Sequence, residues 1–585
     1  MRRLLQIAAA CALTAAYVLL KPAGGSGPVC RLLGLVTLVP AVLLAAWALS
    51  GLFRRDMARA GMSLISRPRP AVFAGSLACF TFLFAAWMAL GPLGGIPKGG
   101  DETAYLFQSR ILARGHLTAP EPPVPDPRRF FPFRHFIFHD SRWFTMYTPL
   151  HALLMAPFTA AGADSLLGPS EAALSVIVAF LLIRRLAGER AARLSALLMV
   201  LSPFFLFMSA TRMAHNSSLL FTVWGCLAVA VGTSEDRLTP TFLGGVLFGL
   251  AVNAKPYPDL AWWPFILAAI AAGGGRRRWR HVAAAVLGGL PTALLLLATN
   301  WYYTGDPLRA AYSLARGSSL IGFGPDKAWY PVYGDNAHTP LRGLMNVARQ
   351  AGTGSVILFG WPLLSLLPAL AALLAVRRDR RLIWLFALAG AFAFLLFFHY
   401  SPSVDYGPRH YFSLVPLSML LSATGLRELT NRLRRRFGPR GGSAAALATA
   451  GLFLTSAVFY VPAGISERSG AWMAIDDIPM RLARESVTPP AVVFMQASEH
   501  GYPNIVSGLN HDSPFLDSPI VFCAHQTAAE DREMQAVLPG RRAYVFWLDS
   551  SGSHIEPWTD SRAEALEPSR DLVADPALPR GEIDN

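Results

Sequence analysis

Thirteen apolar runs, many close to the roughly 20 residues that take a helix across a bilayer, divide this chain from its start to about residue 463. They fall at 4–20, 32–53, 71–92, 166–187, 194–211, 217–232, 241–254, 259–274, 281–299, 353–375, 382–399, 411–427 and 443–463. Charged residues make up 15% of the 585 and the mean hydropathy is +0.38, against about 25% charged in a soluble globular chain. Such depletion with repeated apolar runs predicts an all-α polytopic membrane protein with about 13 transmembrane helices.

The net charge of +15 does not indicate a nucleic-acid partner, because the basic residues fall in short clusters between the runs. These are Arg54/Arg55, Arg184/Arg185, Arg276 to Arg278 with Arg280, Arg377/Arg378 with Arg380/Arg381, and Arg432 with Arg434 to Arg436. If Arg2 and Arg3 lie inside, every cluster also falls on the cytoplasmic side, as the positive-inside rule requires. An odd number of spans then puts the C-terminus outside. Residues 1–20 have the features of a signal peptide but read equally well as a membrane helix, and a first membrane helix is expected. The five cysteines show no CxxC and no metal spacing, so no disulfide framework is expected.

With that orientation the long segments share one face: 93–165, 300–352 and the tail from 464. Loops of this length usually carry function. Residues 149–162 are too short to span and are expected in the interface. In the tail, AVVFM (491–495), PIVFCA (519–524) and RAYVFWL (542–548) read as strands between turn-rich stretches. The expected organisation is a membrane domain over 1–463 and a small soluble α/β-type domain over 464–585.

GGIPKGGDETAYLFQSRILARG (94–115) places Asp101 and Glu102 just beyond an apolar run. The spacing predicts Asp101 as N-cap of a helix to about Arg114, closed by Gly115. Adjacent helical side chains diverge by about 100°, whereas a non-helical cap could turn toward a cavity. Such a pair suits a general base beside a metal or supporting ligand. On the same face lie Lys255 (in NAKPYP), Arg409 and His410 (in DYGPRHYF), and Arg212 and His215 (in TRMAHNSS). Each has an ordinary interfacial reading; together they form a set of cations at one mouth of the bundle. His139, Asp140 and Tyr147 add polar groups from the first loop. A transporter site would instead be expected near the bilayer midplane.

The order GGDETAYLFQSRILARG, DSRWFTMYTPLHALLMAPF, EAALSVIVAFLLIRRLAG, LLMVLSPFFLFMSATRMAHNSSLLF, NWYYTGDPLRAAY and DYGPRHYFSLVPLSMLL resembles the GT-C-fold, polyprenyl-phosphate-sugar-dependent glycosyltransferases. This broad group contains the protein mannosyltransferases and aminoarabinose transferases. Two departures stand out. Two spans precede the helix leading to the Asp-Glu pair, and the usual Tyr-Pro-Pro-type segment reads Tyr147-Thr148-Pro149-Leu150.

The resemblance implies an integral membrane glycosyltransferase on the outer face of a bacterial inner membrane. It would move a sugar from a polyprenyl-phosphate donor to a hydroxyl of an envelope glycan, lipid or protein, with inversion. Asp101 would be the general base, with Glu102 holding the site or a divalent cation. Lys255, Arg409, Arg212, Tyr147 and His410 would bind the donor phosphate. A divalent metal is the one cofactor left open, with Glu102 and His215 as its ligands. The alternatives are a polytopic transporter, a flippase, or a ligase for preassembled lipid-linked glycans.

Overall fold

The computed structural model describes residues 2–20, 28–52, 66–273, 277–316, 321–325, 327, 335, 337–470, 472–496 and 502–566. Among them, seven helical segments are long and apolar enough to cross a membrane: Arg3–Leu20, Val29–Ser50, Pro70–Leu90, Asp164–Ala187, His215–Glu235, Arg278–Thr304 and Arg409–Arg468. Leu238–Ala254 and Arg381–Phe397 are shorter apolar helices where full spans are expected. The last long segment takes in both 411–427 and 443–463, and its helical geometry breaks at Phe437 and Gly438.

Three of the expected runs differ in form. Residues 194–211 are two helices, Glu189–Val200 and Pro203–Ser209, bent by 64°. Ser202 accepts from the Phe205 amide and Pro203 occupies the first turn, so this sequence starts a new helix rather than continuing the old one. Residues 259–274 hold only Trp262–Ala272. Residues 353–375 are not one helix: Pro340–Ile357 ends early and Leu367–Ala371 begins anew. Between them the Ser365 hydroxyl accepts from the amides of Phe359 and Trp361 (3.2 and 3.1 Å) and donates to the Val356 carbonyl. Pro362 contributes no donor at this turn. Hydropathy could not reveal the break, because the turn itself is apolar.

The first long loop has its own structure. Strands β1 (Ala119–Pro120), β2 (Phe136–His139) and β3 (Arg142–Thr145) form an antiparallel sheet in the order β1-β3-β2. Asp140 and Ser141, both at positive φ (51° and 57°), make the two-residue turn between β2 and β3. Leu150–Ala160 is the expected short helix.

In the tail, β4 (Ala491–Met495), β5 (Ile520–Ala524) and β6 (Arg542–Asp549) pair in parallel, and β7 (Gly552–Pro557) closes one edge antiparallel, in the order β5-β4-β6-β7. The crossovers carry the helices Tyr502–Leu509 and Ala528–Val537. Strands β4 and β5 are buried at every residue, which is why they read as continuous apolar runs. The core of this sheet is continuous with that of the first loop: Ala104, Phe107, Ile111 and Trp143 belong to the same hydrophobic cluster as Val492, Phe494, Phe522 and Val545.

Candidate active site

The Asp-Glu pair is carried by the helix Gly100–Ala113, hereafter the site helix. Its N-cap is Gly99, so Asp101 is not the cap: both carboxylates are helical and sit in the first turn, where negative charge suits the helix N-terminus. The expected non-helical Asp101 does not form, because the helix starts earlier, at Gly100. Arg114 ends the helix, and Gly115 at φ +79° reverses the chain. The divergence of adjacent helical side chains, rather than a cap, sends the two carboxylates to different surroundings.

Asp101 faces a cavity of about 830 Å³. The Tyr147 hydroxyl donates to Asp101 Oδ1 at 2.6 Å. His135 Nε2 lies 3.4 Å from the same oxygen, and the Arg409 guanidinium 3.5 Å from Oδ2. Burial by itself raises the Asp101 carboxyl, but Arg409, His135 and Tyr147 together hold it well below the usual carboxylate range. About a fifth of the side chain remains accessible from the cavity. The Tyr147 phenol is pushed well up, by burial first and then by the Asp101 charge, so it stays a donor.

Glu102 is almost fully buried, at 2% exposure. Its Oε1 accepts from the Tyr406 hydroxyl (2.6 Å) and its Oε2 from the Arg212 amide (2.9 Å). Burial raises its carboxyl more than these donors lower it. Glu102 therefore ties the site helix to two other elements and does not face the cavity.

Two glycines make these approaches feasible. A Cβ at Gly99 would lie 2.2 Å from the Tyr406 hydroxyl oxygen, and one at Gly100 would lie 2.6 Å from His135 Cε1. Both distances are far inside contact, so a side chain at either position would push these partners off the helix.

Lys255 ends the helix Leu238–Ala254 in an extended conformation (φ −148°), as a residue before proline must. It lines the same cavity with Arg409, His410, Tyr257 and His399. Burial, with Arg409 nearby, lowers its ammonium to about 8. His410 lines the cavity, and its ring centroid lies 5.9 Å from that of His215 and 5.1 Å from that of His399. Neither ring nitrogen of His215 or of His410 has a hydrogen-bond partner among the described residues.

The structure thus brings Asp101, Tyr147, Lys255, Arg409 and His410 to one cavity, and places Arg212, His215 and Glu102 off its lining. The Arg212 guanidinium is engaged by Asp164 and the Gly95 carbonyl, and it is buried at 4% exposure. Its contribution is the backbone amide that holds Glu102. His139 and Asp140 pair with each other at 3.3 Å on an accessible turn.

The expected Glu102 and His215 cation site does not fit this donor set. Both Glu102 oxygens already have partners, and among the described residues no three His, Cys, Asp or Glu side chains converge to hold a metal. His135 and Tyr406 were not singled out from the sequence. The Gly99-Gly100 pair was the one local sign that bulky neighbours approach this helix closely.

Residues 171–303 match the sequence model of a family described as dolichyl-phosphate-mannose-protein mannosyltransferase. The chain is a membrane glycosyltransferase. It is similar to the GT-C-fold polyprenyl-phosphate-sugar enzymes, as the motifs suggest. The matched stretch includes Arg212, His215 and Lys255 and excludes Asp101, Tyr147 and Arg409.

Among solved structures, the glycosyltransferase chain resembles ArnT from Cupriavidus metallidurans bound to undecaprenyl phosphate, at 14% identity and TM-score 0.48, over 82% of this chain and 93% of that one. It also resembles the Archaeoglobus fulgidus oligosaccharyltransferase in complex with Zn and sulfate, at 14% identity and TM-score 0.45, over 80% and 67%. The arabinosyltransferase EmbB from Mycobacterium smegmatis aligns at 15% identity and TM-score 0.38, over 69% and 35%. No individual curated protein matches the chain.

Proposed function

We propose that the protein transfers a sugar from a polyprenyl-phosphate-linked donor to a hydroxyl of a cell-envelope acceptor, on the outer face of a bacterial inner membrane. The observation that carries this reading is one cavity holding a carboxylate, Asp101, together with the cations Lys255 and Arg409. The acceptor oxygen attacks the anomeric carbon from the side opposite the phosphate, forming the new C–O bond as the old one breaks. The acceptor proton passes to Asp101, and the polyprenyl phosphate leaves with the bond electrons. A single displacement inverts the anomeric centre.

Negative charge grows on the leaving phosphate, so fixed cations aimed at it supply the main stabilisation; Lys255 and Arg409 serve that role, with His410 beside them. Arg409 also couples the two halves of the step. It is one of the groups that hold the Asp101 carboxyl low. A donor phosphate that draws Arg409 toward itself weakens that hold and raises the basicity of Asp101. The base then strengthens once the donor is in place. The inside-to-outside order of the Arg clusters supports a cytoplasmic N-terminus, with 1–463 as the membrane domain and 464–585 as an extracytoplasmic domain.

A strain lacking the gene tests the reading. Mass spectrometry of its envelope glycans and lipid extracts is expected to show one sugar modification lost and one polyprenyl-phosphate sugar accumulated. Unchanged glycans and lipids would refute it.

A further inference from the structure

The tail does not stand apart from the site; segments flanking its sheet grip the site helix on the side away from the cavity. Thr103 follows Asp101 by two helical positions, about 200° around the axis. Its hydroxyl donates to Asn510 Oδ1 at 2.6 Å, and Asn510 Nδ2 donates to the Pro97 carbonyl at 3.3 Å. One tail side chain therefore holds both the helix and the turn that leads into it. About two helical turns further on, the Arg110 guanidinium donates to the carbonyls of Asn510 and Asp512, each at 2.7 Å. Before the helix, Lys98 Nζ donates to the carbonyls of Gly470 (2.5 Å) and Ile475 (3.0 Å). Lys98, Thr103 and Asn510 are each 2% exposed.

The bonds from Thr103 to Asn510, from Asn510 to Pro97 and from Lys98 to Ile475 are fully buried, and those of Arg110 hold the far end of the helix. Buried polar groups of this kind are costly to leave unpaired, so they specify one position rather than a range. Proton transfer needs the base within hydrogen-bond reach of the acceptor hydroxyl, and a displacement of about 1 Å in a site can cost roughly 10²-fold in rate.

We propose that the tail is the positioning element of the site helix, with Asn510, just beyond the helix Tyr502–Leu509, as the positioning residue through which it sets Asp101 in the cavity. This rests on Asp101 acting in the transfer. Asn510 does not touch the reacting atoms; it acts through Thr103 and Pro97. The grip through Asn510 is thereby required for the rate of transfer and not for holding the donor lipid.

The test uses full-length variants in two assays. Transfer is read by mass spectrometry of envelope glycans in the deletion strain expressing each variant at matched membrane levels. Lipid binding is read as the Kd of the purified chain in nanodiscs for undecaprenyl phosphate. Thr103→Val keeps the shape of the side chain and removes the donor; it is expected to lower transfer at least tenfold and leave Kd within twofold. Thr103→Ser restores the donor and is expected to restore transfer. Asn510→Ala is expected to behave as Thr103→Val, and comparing Kd shows that each variant is folded.

Normal transfer by Thr103→Val, equal loss in Thr103→Ser, or a loss of transfer that simply follows weakened lipid binding would each overturn the proposal. Asp101→Asn in the same assays separates the two readings. If it is inactive while Thr103→Val is normal, the positioning role alone fails; if it is active, the role of Asp101 fails with it.

Discussion

Asp101 and Glu102 are neighbours in sequence with opposite surroundings. Asp101 is held as an anion by Arg409, His135 and Tyr147 at the edge of a cavity. Glu102 is buried and accepts from Tyr406 and the Arg212 amide. Glutamine can accept from the Arg212 amide through its carbonyl oxygen and donate from its amide nitrogen to the Tyr406 hydroxyl oxygen, so Glu102→Gln is expected to retain transfer within about tenfold, whereas Glu102→Ala leaves both partners unpaired at a cost of about 1–3 kcal/mol each. Thermal unfolding in detergent, measured beside transfer, checks this.

Lys255 carries the pH dependence. Its ammonium is lowered to about 8 by burial and by Arg409, so the free enzyme loses this charge as pH rises through 8. Affinity for an anionic polyprenyl phosphate is expected to be level below that pH and to fall above it. Lys255→Arg, charged throughout, is expected to flatten that limb. The same shift has the opposite sign for stability. Between about 8 and the ordinary lysine value of 10.5, the unfolded chain holds the extra proton, so this group makes folding more favourable as pH rises. Binding and unfolding measured over the same range separate the two effects.

At the scale of the element, the site helix depends on what its first residues lack. A Cβ on Gly100 would meet His135 Cε1 at 2.6 Å, so Gly100→Ala is expected to displace His135 from Asp101 and lower transfer, with an overpacking cost of about 1–3 kcal/mol. Gly75, in the span Pro70–Leu90, has nothing within 4 Å of the same added atom, and Gly75→Ala is the expected neutral control. Transfer assays on the two variants check the contrast.

The sequence made this helix legible to within a residue or two at each end, along with the three tail strands and the short helix Leu150–Ala160. It misled where an apolar run hides a turn, as at Ser365, because hydropathy reports solvent preference and not backbone direction. Tyr406 and His135 were illegible for a different reason: their role comes from long-range contact with the helix N-terminus, across 304 positions for Tyr406. Arg212 was overread, since a basic side chain beside a histidine gives no sign that its charge is already matched by Asp164.

Across the whole molecule, the cavity is assembled from segments far apart in sequence: the first loop, the Lys255 break, the start of the second loop and the turn before Arg409. The tail sheet shares its core with the first loop. A protein built to carry a solute would be expected to place its binding groups between interrupted helices near the midplane. Here the carboxylate comes from a short loop helix backed by the tail, and the cations from span ends, an arrangement that suits a lipid phosphate entering from the bilayer and a hydroxyl arriving from outside.

Transfer by Asp101→Asn, made in the chromosomal copy and read by mass spectrometry of envelope glycans and lipid-linked sugars, tests the proposed chemistry most directly. Loss of the glycan sugar with accumulation of its polyprenyl-phosphate donor is expected, with the transfer rate reduced by roughly 10²–10⁴-fold as for removal of a general base. Glycans at wild-type levels in a strain that produces the variant normally would contradict it.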